Sequence, residues 1–180
     1  MSDTVNHKNI AAFGVGPVVS SSHLASGELP ALSEIEFAVT MMVNAYHRWM
    51  VRCMAAAGQE GLSSLETLVL HSVNHRERPK TQADLCLVLN IEDTHTVSYA
   101  LKKLEKAGLI RSGKRGKEKT AEITEAGHDL CGAYKQLRDA LLVKPVKELG
   151  LDEVELSRLA SILRSVSGHY DQAARSAAAM

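Results

Sequence analysis

The sequence predicts a mainly α chain with one small β-hairpin, in which two short helices and that hairpin form a unit flanked by longer helices on both sides. Three observations carry this prediction. Apolar residues recur every three or four positions in successive segments from Ser33 to Val166, separated by Gly, Pro and polar runs. Residues 109–124 instead alternate around a centre rich in Gly and Lys, as strands and a turn do. Four of the helical segments also open with a Ser, Thr or Asp three residues before a carboxylate: Ser33–Glu36, Ser63–Glu66, Thr81–Asp84 and Asp152–Glu155. That spacing satisfies free amides at a helix start.

Residues 1–30 mix Ser, Gly, Ala, Asn and Pro without periodicity and read as a mobile N-terminal arm. The expected dimerisation helix occupies residues 31–60. It starts at Ser33, carries one stripe through Ile35, Ala38, Met42, Ala45, Tyr46, Trp49 and Cys53, and a second through Val39, Val43, Met50 and Met54. A helix apolar on two sides must be covered on two sides, which points to a second subunit. Gly58 and Gly61 end it. The next helix, from Ser63, carries Leu65, Leu68, Val69 and Val73. After a polar stretch containing Pro79, a short helix from Thr81 carries Leu85, Cys86, Leu89 and Ile91. A turn over Asn90–Asp93 leads into another helix from Thr94 to Lys106, ended at Gly108. There Val97, Ala100, Leu101 and Leu104 form one apolar face, and His95, Tyr99, Lys102 and Lys106 point the opposite way, with Ser98 on the flank.

Two short helices joined by a tight turn are a helix-turn-helix. Leu109–Arg111 and the alternation of Ala121 and Ile123 with polar neighbours make a hairpin with a basic tip at Ser112–Lys117, so residues 61–127 read as a winged helix. Residues 128–180 hold two further expected dimerisation helices. One is capped by Thr124 and interrupted at Pro145; the other follows Gly150, opens at Asp152 and carries Leu156, Leu159, Ile162, Leu163 and Val166. An Ala-rich end is expected to fray.

The charge pattern turns this architecture toward function. The chain is neutral as a whole, yet residues 101–120 hold eight Lys or Arg against two Asp or Glu, and the remainder is mildly acidic. Such an island over a helix-turn-helix and a hairpin fits the phosphate backbone of double-stranded DNA. His95, Ser98 and Tyr99 can bond base edges or phosphates in a major groove. Lys102, Lys106, Arg111, Lys114, Arg115 and Lys117 can neutralise phosphates, Arg76, Arg78 and Lys80 add charge before the motif, and the helix start at Thr94 and Thr96 offers amides to a phosphate.

Other chemistry is sparse. No GxSxG, Walker loop, HExxH or GxGxxG after a strand occurs, and an enzyme is not expected. His71 and His75 have the spacing of a metal pair, but no third ligand is near in sequence, and His near a helix end suits the helix dipole; no metal or cofactor is expected. Cys53, Cys86 and Cys131 sit on apolar faces and read as buried small residues in a reducing compartment. Tyr46, Trp49, Met50 and Arg52, with His47, are candidates for a pocket taking a small-molecule effector between the dimerisation helices and the winged helix, although the same residues suit a core, which is the preferred reading. No run is apolar and long enough to cross a membrane, and no secretory leader is recognised, so a cytoplasmic location is expected.

The runs LSSLETLVLHSV, KTQADLCLVLNIEDTHTVSYALKKLEKAGLIRSG and AEITEAG, in that order between Leu62 and Gly127, resemble the MarR family of bacterial regulators. The resemblance implies a homodimer with interleaved outer helices, one winged helix per subunit on DNA, and regulation of nearby genes that a small aromatic or lipophilic ligand often relieves. One departure stands out. The family wing usually places an Arg of an Asp-Arg pair in the minor groove. This wing, RSGKRGKEKTAEIT, has no such pair and is shorter; Lys114, Arg115 and Lys117 are the residues available in its place. The competing use of such a domain is contact with a partner protein, against which the basic island argues, since interface cores are depleted of Lys.

Overall fold

The computed structural model describes residues 16–150 and 152–180. A 3-10 turn at Ser22–Ala25 precedes α1 (Pro30–Ala56) and α2 (Ser64–Asn74). Then come β1 (Lys80–Thr81), α3 (Gln82–Leu89), α4 (Thr94–Lys106), β2 (Ile110–Arg115) and β3 (Glu118–Ile123). The chain closes with α5 (Glu125–Arg138), α6 (Lys144–Lys147) and α7 (Glu153–Ala178). The architecture is the expected mainly α one, with a winged helix-turn-helix between outer helices. Its hairpin is part of a three-stranded antiparallel sheet of order β1-β3-β2, in which Lys80 and Thr81 pair with Ala121 and Thr120. A two-residue strand next to a helix start has no periodicity of its own, so only its pairing partner reveals it.

The core gathers one face from each element: Cys53 and Met54 of α1, Val69, Leu70 and Val73 of α2, Leu85 of α3, Val97, Ala100 and Leu104 of α4, and Leu130, Cys131 and Tyr134 of α5. All three cysteines are buried free thiols, and burial pushes Cys131 up to about 11. The expected capping boxes form at Ser63–Glu66, Thr81–Asp84 and Asp152–Glu155. At Gly127, in the first turn of α5, any side chain would strike the Leu109 carbonyl oxygen, so only glycine lets this helix close against the start of the hairpin.

The structure corrects four details of the outer helices. α1 begins at Pro30, not Ser33, because proline suits the first helical position and the Ser33 hydroxyl is engaged elsewhere, donating to the Leu24 carbonyl at 2.7 Å. The two stripes of α1 differ along its length: Met50 and Met54 are fully buried, whereas Val39, Met42 and Val43 lie in solvent. Pro145 does not stop the helix after α5. It has no N–H for the Leu141 carbonyl and its ring crowds that oxygen, and the chain widens into a π-helical segment, Asp139–Val143, before continuing as α6. The Ala-rich end does not fray but stays helical to Ala178. Of the expected arm, residues 1–15 lie outside the described residues. The remainder is tied to α1 by Ser33 and by the Val18 amide, which donates to Glu34 Oε1 at 3.0 Å.

Candidate nucleic-acid interface

The helix-turn-helix is locked from its turn outward. Asn90 closes α3 in the left-handed conformation at φ 53°, and the Ile91 amide returns to the Cys86 carbonyl. Gln82 Nε2, at the start of α3, donates to the Thr94 carbonyl at 2.7 Å and so fixes the start of one helix to the start of the other. With Val97, Ala100 and Leu104 completely withdrawn from water, the rotation of α4 is settled. Its opposite face presents His95, Tyr99, Lys102 and Lys106 to solvent, and Ser98 lies half-buried on the flank facing the wing.

Some of the groups expected to face a phosphate have partners within the chain. The Asp93 carboxylate accepts from the His95 amide at 2.9 Å, and the Thr96 amide and hydroxyl both donate to the Asp93 carbonyl. The amides expected to face a phosphate at Thr94 and Thr96 are therefore partly engaged, and a carboxylate stands at the helix start. Lys80 is withdrawn as well: it is buried, and its ammonium donates to the His75 and Arg78 carbonyls at 2.6 and 2.9 Å, closing the loop that carries Arg76 in the left-handed region.

The wing sorts its charges by face. Cross-strand partners Arg111–Glu122 and Arg115–Glu118 lie on one face, and both arginines are ion-paired there, at 2.8 and 3.4 Å; Arg115 also lies 3.8 Å from Asp84. Ile110, Ser112 and Lys114 of β2 share the other face with Ile123, Ala121 and Lys119 of β3. That face runs from the core out over α4, and Lys114 stands directly opposite Lys119. Between α4 and this face opens a small groove of about 120 Å³, lined among others by Ser98, Lys102, Glu105, Ser112 and Lys119. Gly116, at positive φ, opens the two-residue tip turn with exposed Lys117. Among the described residues, Lys102, Lys106, Lys114, Lys117 and Lys119 have no ion-pair partner, whereas Lys103 is held at 2.8 Å by Glu66. Lys119, Ser112 and Gln82 were not among the expected site residues. The period-two alternation placing Lys119 two positions before buried Ala121 was the available signal for the first.

On the far side of the winged helix lies a cleft of about 900 Å³ between α1, α2, α3 and α5, with Tyr46, Trp49, His71, Tyr134 and Arg138 on its walls. Tyr46 and Trp49 both line it, and the other two candidates do not: Met50 points into the protein and is fully buried, and Arg52 is exposed away from the cleft. Successive residues of a helix are turned about 100° from one another, so Trp49, Met50 and Arg52 leave it in different directions, which the mixed run Tyr46–Arg52 could not separate. Among the described residues the buried indole N–H of Trp49 and Nε2 of His71 have no hydrogen-bond partner, and the His71 and Tyr134 rings meet edge to face at 4.6 Å. Burial depresses the pKa of His71 and raises that of the Tyr134 hydroxyl to about 12. Among the described residues no group of three or more His, Cys, Asp or Glu is placed to hold a metal, and no helix is long and apolar enough to cross a membrane.

Residues 62–127 match the sequence family of the winged helix DNA-binding domain. No curated protein matches the chain in sequence. Among solved structures it is similar to CouR of Rhodococcus jostii RHA1 bound to p-coumaroyl-CoA, with 18% identity, a TM-score of 0.61, and coverage of 73% of this chain and 90% of that one. It is similar to a MarR mutant of E. coli complexed with operator DNA, with 17% identity, a TM-score of 0.61, and coverage of 78% and 99%. A MarR transcriptional regulator of Methanosarcina mazei Go1 is 15% identical with a TM-score of 0.61, over 84% of this chain and 97% of that one.

Proposed function

From a chain whose residues 62–127 are a winged-helix DNA-binding domain, carried by outer helices in the fold of the MarR regulators, we propose a homodimeric, sequence-specific regulator of transcription that binds double-stranded DNA through α4 and the wing. The observation that carries this reading is the two-sided construction of α4. On its apolar face Val97, Ala100 and Leu104 are fully buried, and the face left to solvent holds His95, Tyr99, Lys102 and Lys106, none of which forms an ion pair among the described residues. A rigid helix with a polar, cationic outer face fits a major groove, where side chains distinguish base pairs by donor and acceptor pattern.

The dimer is supported by α7. No residue along its 26 residues is buried, yet Leu156, Leu159, Ile162 and Leu163 form an apolar stripe that the described residues leave uncovered. A second copy whose α7 and α1 pack on the same surfaces would bury it. Two such domains related by a two-fold axis would meet half-sites about one helical turn, ~34 Å, apart. The cleft at Trp49 and His71 has the size and the apolar walls of a small-molecule site, and a ligand there would bias the dimer toward or away from the DNA-binding form.

The test is binding of the purified protein to random-sequence duplex across a salt series, followed by selection of a preferred site. A steep linear fall of log affinity with log salt is expected. Absence of binding even at low salt would overturn the reading and turn attention to a protein partner for α4.

A further inference from the structure

The paired charges of the wing point to how it meets DNA, an inference that rests on the DNA-binding reading above. Like charges directly opposite each other in an antiparallel pair destabilise it, and opposite charges there stabilise it. This hairpin does both at once. On its outer face each Arg faces a Glu, and on its inner face Lys114 faces Lys119 with no carboxylate to relieve them. The groove beside them, between the inner face and α4, adds Lys102, Ser98 and Ser112. Its one carboxylate, Glu105, accepts from the Ser112 amide at 3.2 Å and forms no ion pair with these lysines. About 120 Å³ is room for a phosphate group rather than for a single water.

We propose that the wing is a backbone clamp. A phosphate of the DNA strand running beside α4 seats in the groove between α4 and the inner face of the wing, held by Lys119 and Lys102 with hydroxyls of Ser98 and Ser112, while Lys114, opposite Lys119 on the same face of the hairpin, adds its charge from outside the groove lining, and the wing tip does not read the minor groove. The arginines that could enter a minor groove are engaged on the outer face, Arg111 by Glu122 and Arg115 by Glu118 and Asp84. The cations left for an anion all belong to lysine, a flexible point charge suited to phosphate rather than to planar readout. The tip itself is two residues long, Gly116 and Lys117.

The test compares the wild-type protein with the double variant Lys114→Ala, Lys119→Ala and with the charge-keeping Lys114→Arg, Lys119→Arg, on random-sequence duplex in a salt series. The alanine variant should lose about one to two from the magnitude of the salt slope, equally on every sequence, and the arginine variant should keep the slope. Without DNA the alanine variant should melt at the same or a higher temperature, because a repulsion has gone, which also shows that it folds. Replacing G·C by inosine·C removes only the minor-groove amino group and should leave wild-type affinity unchanged. An unchanged slope in the alanine variant overturns the clamp, as does a preference for inosine duplex, which would put the wing in the minor groove. Calorimetric titration with inorganic phosphate separates the two sources of such an anion: saturable, Lys119-dependent binding of free phosphate in the micromolar range would assign the groove to a soluble ligand and overturn the clamp. Failure of the wild type to bind any duplex would instead overturn the DNA-binding reading itself.

Discussion

Lys102 and Lys103 are neighbours in the chain with different surroundings. Lys103 bends back to Glu66, whose side chain is only 6% exposed and which also accepts from the Ser63 amide, and it donates to the Gly61 carbonyl at 2.7 Å. Burial alone would push the Glu66 carboxyl up, but the Lys103 ammonium and the capping hydrogen bonds outweigh it and hold the group below its usual value. Lys102 makes no such contact and faces solvent beside the groove. Lys103→Ala is therefore expected to cost about 1–3 kcal/mol of stability in urea denaturation, by leaving a buried carboxylate short of partners, with the salt slope of DNA binding unchanged. Lys102→Ala is expected to do the reverse, lowering affinity for every duplex and leaving the urea midpoint in place; equal effects of the two substitutions would refute the distinction. His71 supplies a pH signature. Burial depresses its folded pKa below the ordinary 6.5, so its contribution to stability is complete above that value and is lost as pH falls through the lower folded pKa. Melting temperature should decline on the acid side of 6.5 by less in His71→Phe than in the wild type.

At the scale of elements, the helix starts were the most legible part of the chain. A capping box is a local device, made of one side chain and amides three residues away, so three of the four expected ones form as written. The fourth fails at Ser33 because Pro30 allows an earlier start and because the hydroxyl finds the Leu24 carbonyl in the preceding turn. Ser63→Ala should destabilise the domain by about 1 kcal/mol, measurable in the same urea titration. The wing was less legible. Its place after α4 followed from the alternation around Ser112–Lys117, but the division of its charges between two faces depends on register, and a slip of one residue would exchange the faces. Pairing Lys114 with Lys119 is what makes the inner face cationic, and it also separates Arg115, expected as a DNA contact, toward Glu118 and Asp84.

At the scale of the whole molecule, the outer helices are unfinished surfaces. The described chain leaves Leu159 and Ile162 at 52% and 44% exposure and Met42 at 64%, more apolar surface on two long helices than solvation by water favours. Leu159→Lys with Ile162→Lys should convert a dimer to a monomer in sedimentation equilibrium and weaken binding to a two-half-site duplex far more than to a single half-site. Wild-type protein that sediments as a monomer at all concentrations would refute the dimer.

By itself the sequence determined the order of the main helices and the hairpin, the buried face of α4, the position of the basic island and the resemblance to the MarR regulators. These rest on periodicity, on caps and on turns, which are properties of a few neighbouring residues. Only the tertiary structure decided which of the island's cations are left without an ion-pair partner among the described residues. Lys103, Arg111 and Arg115 are balanced by Glu66, Glu122 and Glu118, at separations in sequence from three to 37 residues. It also decided that Tyr46 and Trp49 share a cleft with His71 and Tyr134 while Met50 does not, and that Lys80 closes a loop from within. An ion pair or a cleft exists between side chains brought together by packing, and no local pattern along the chain records which partners will meet.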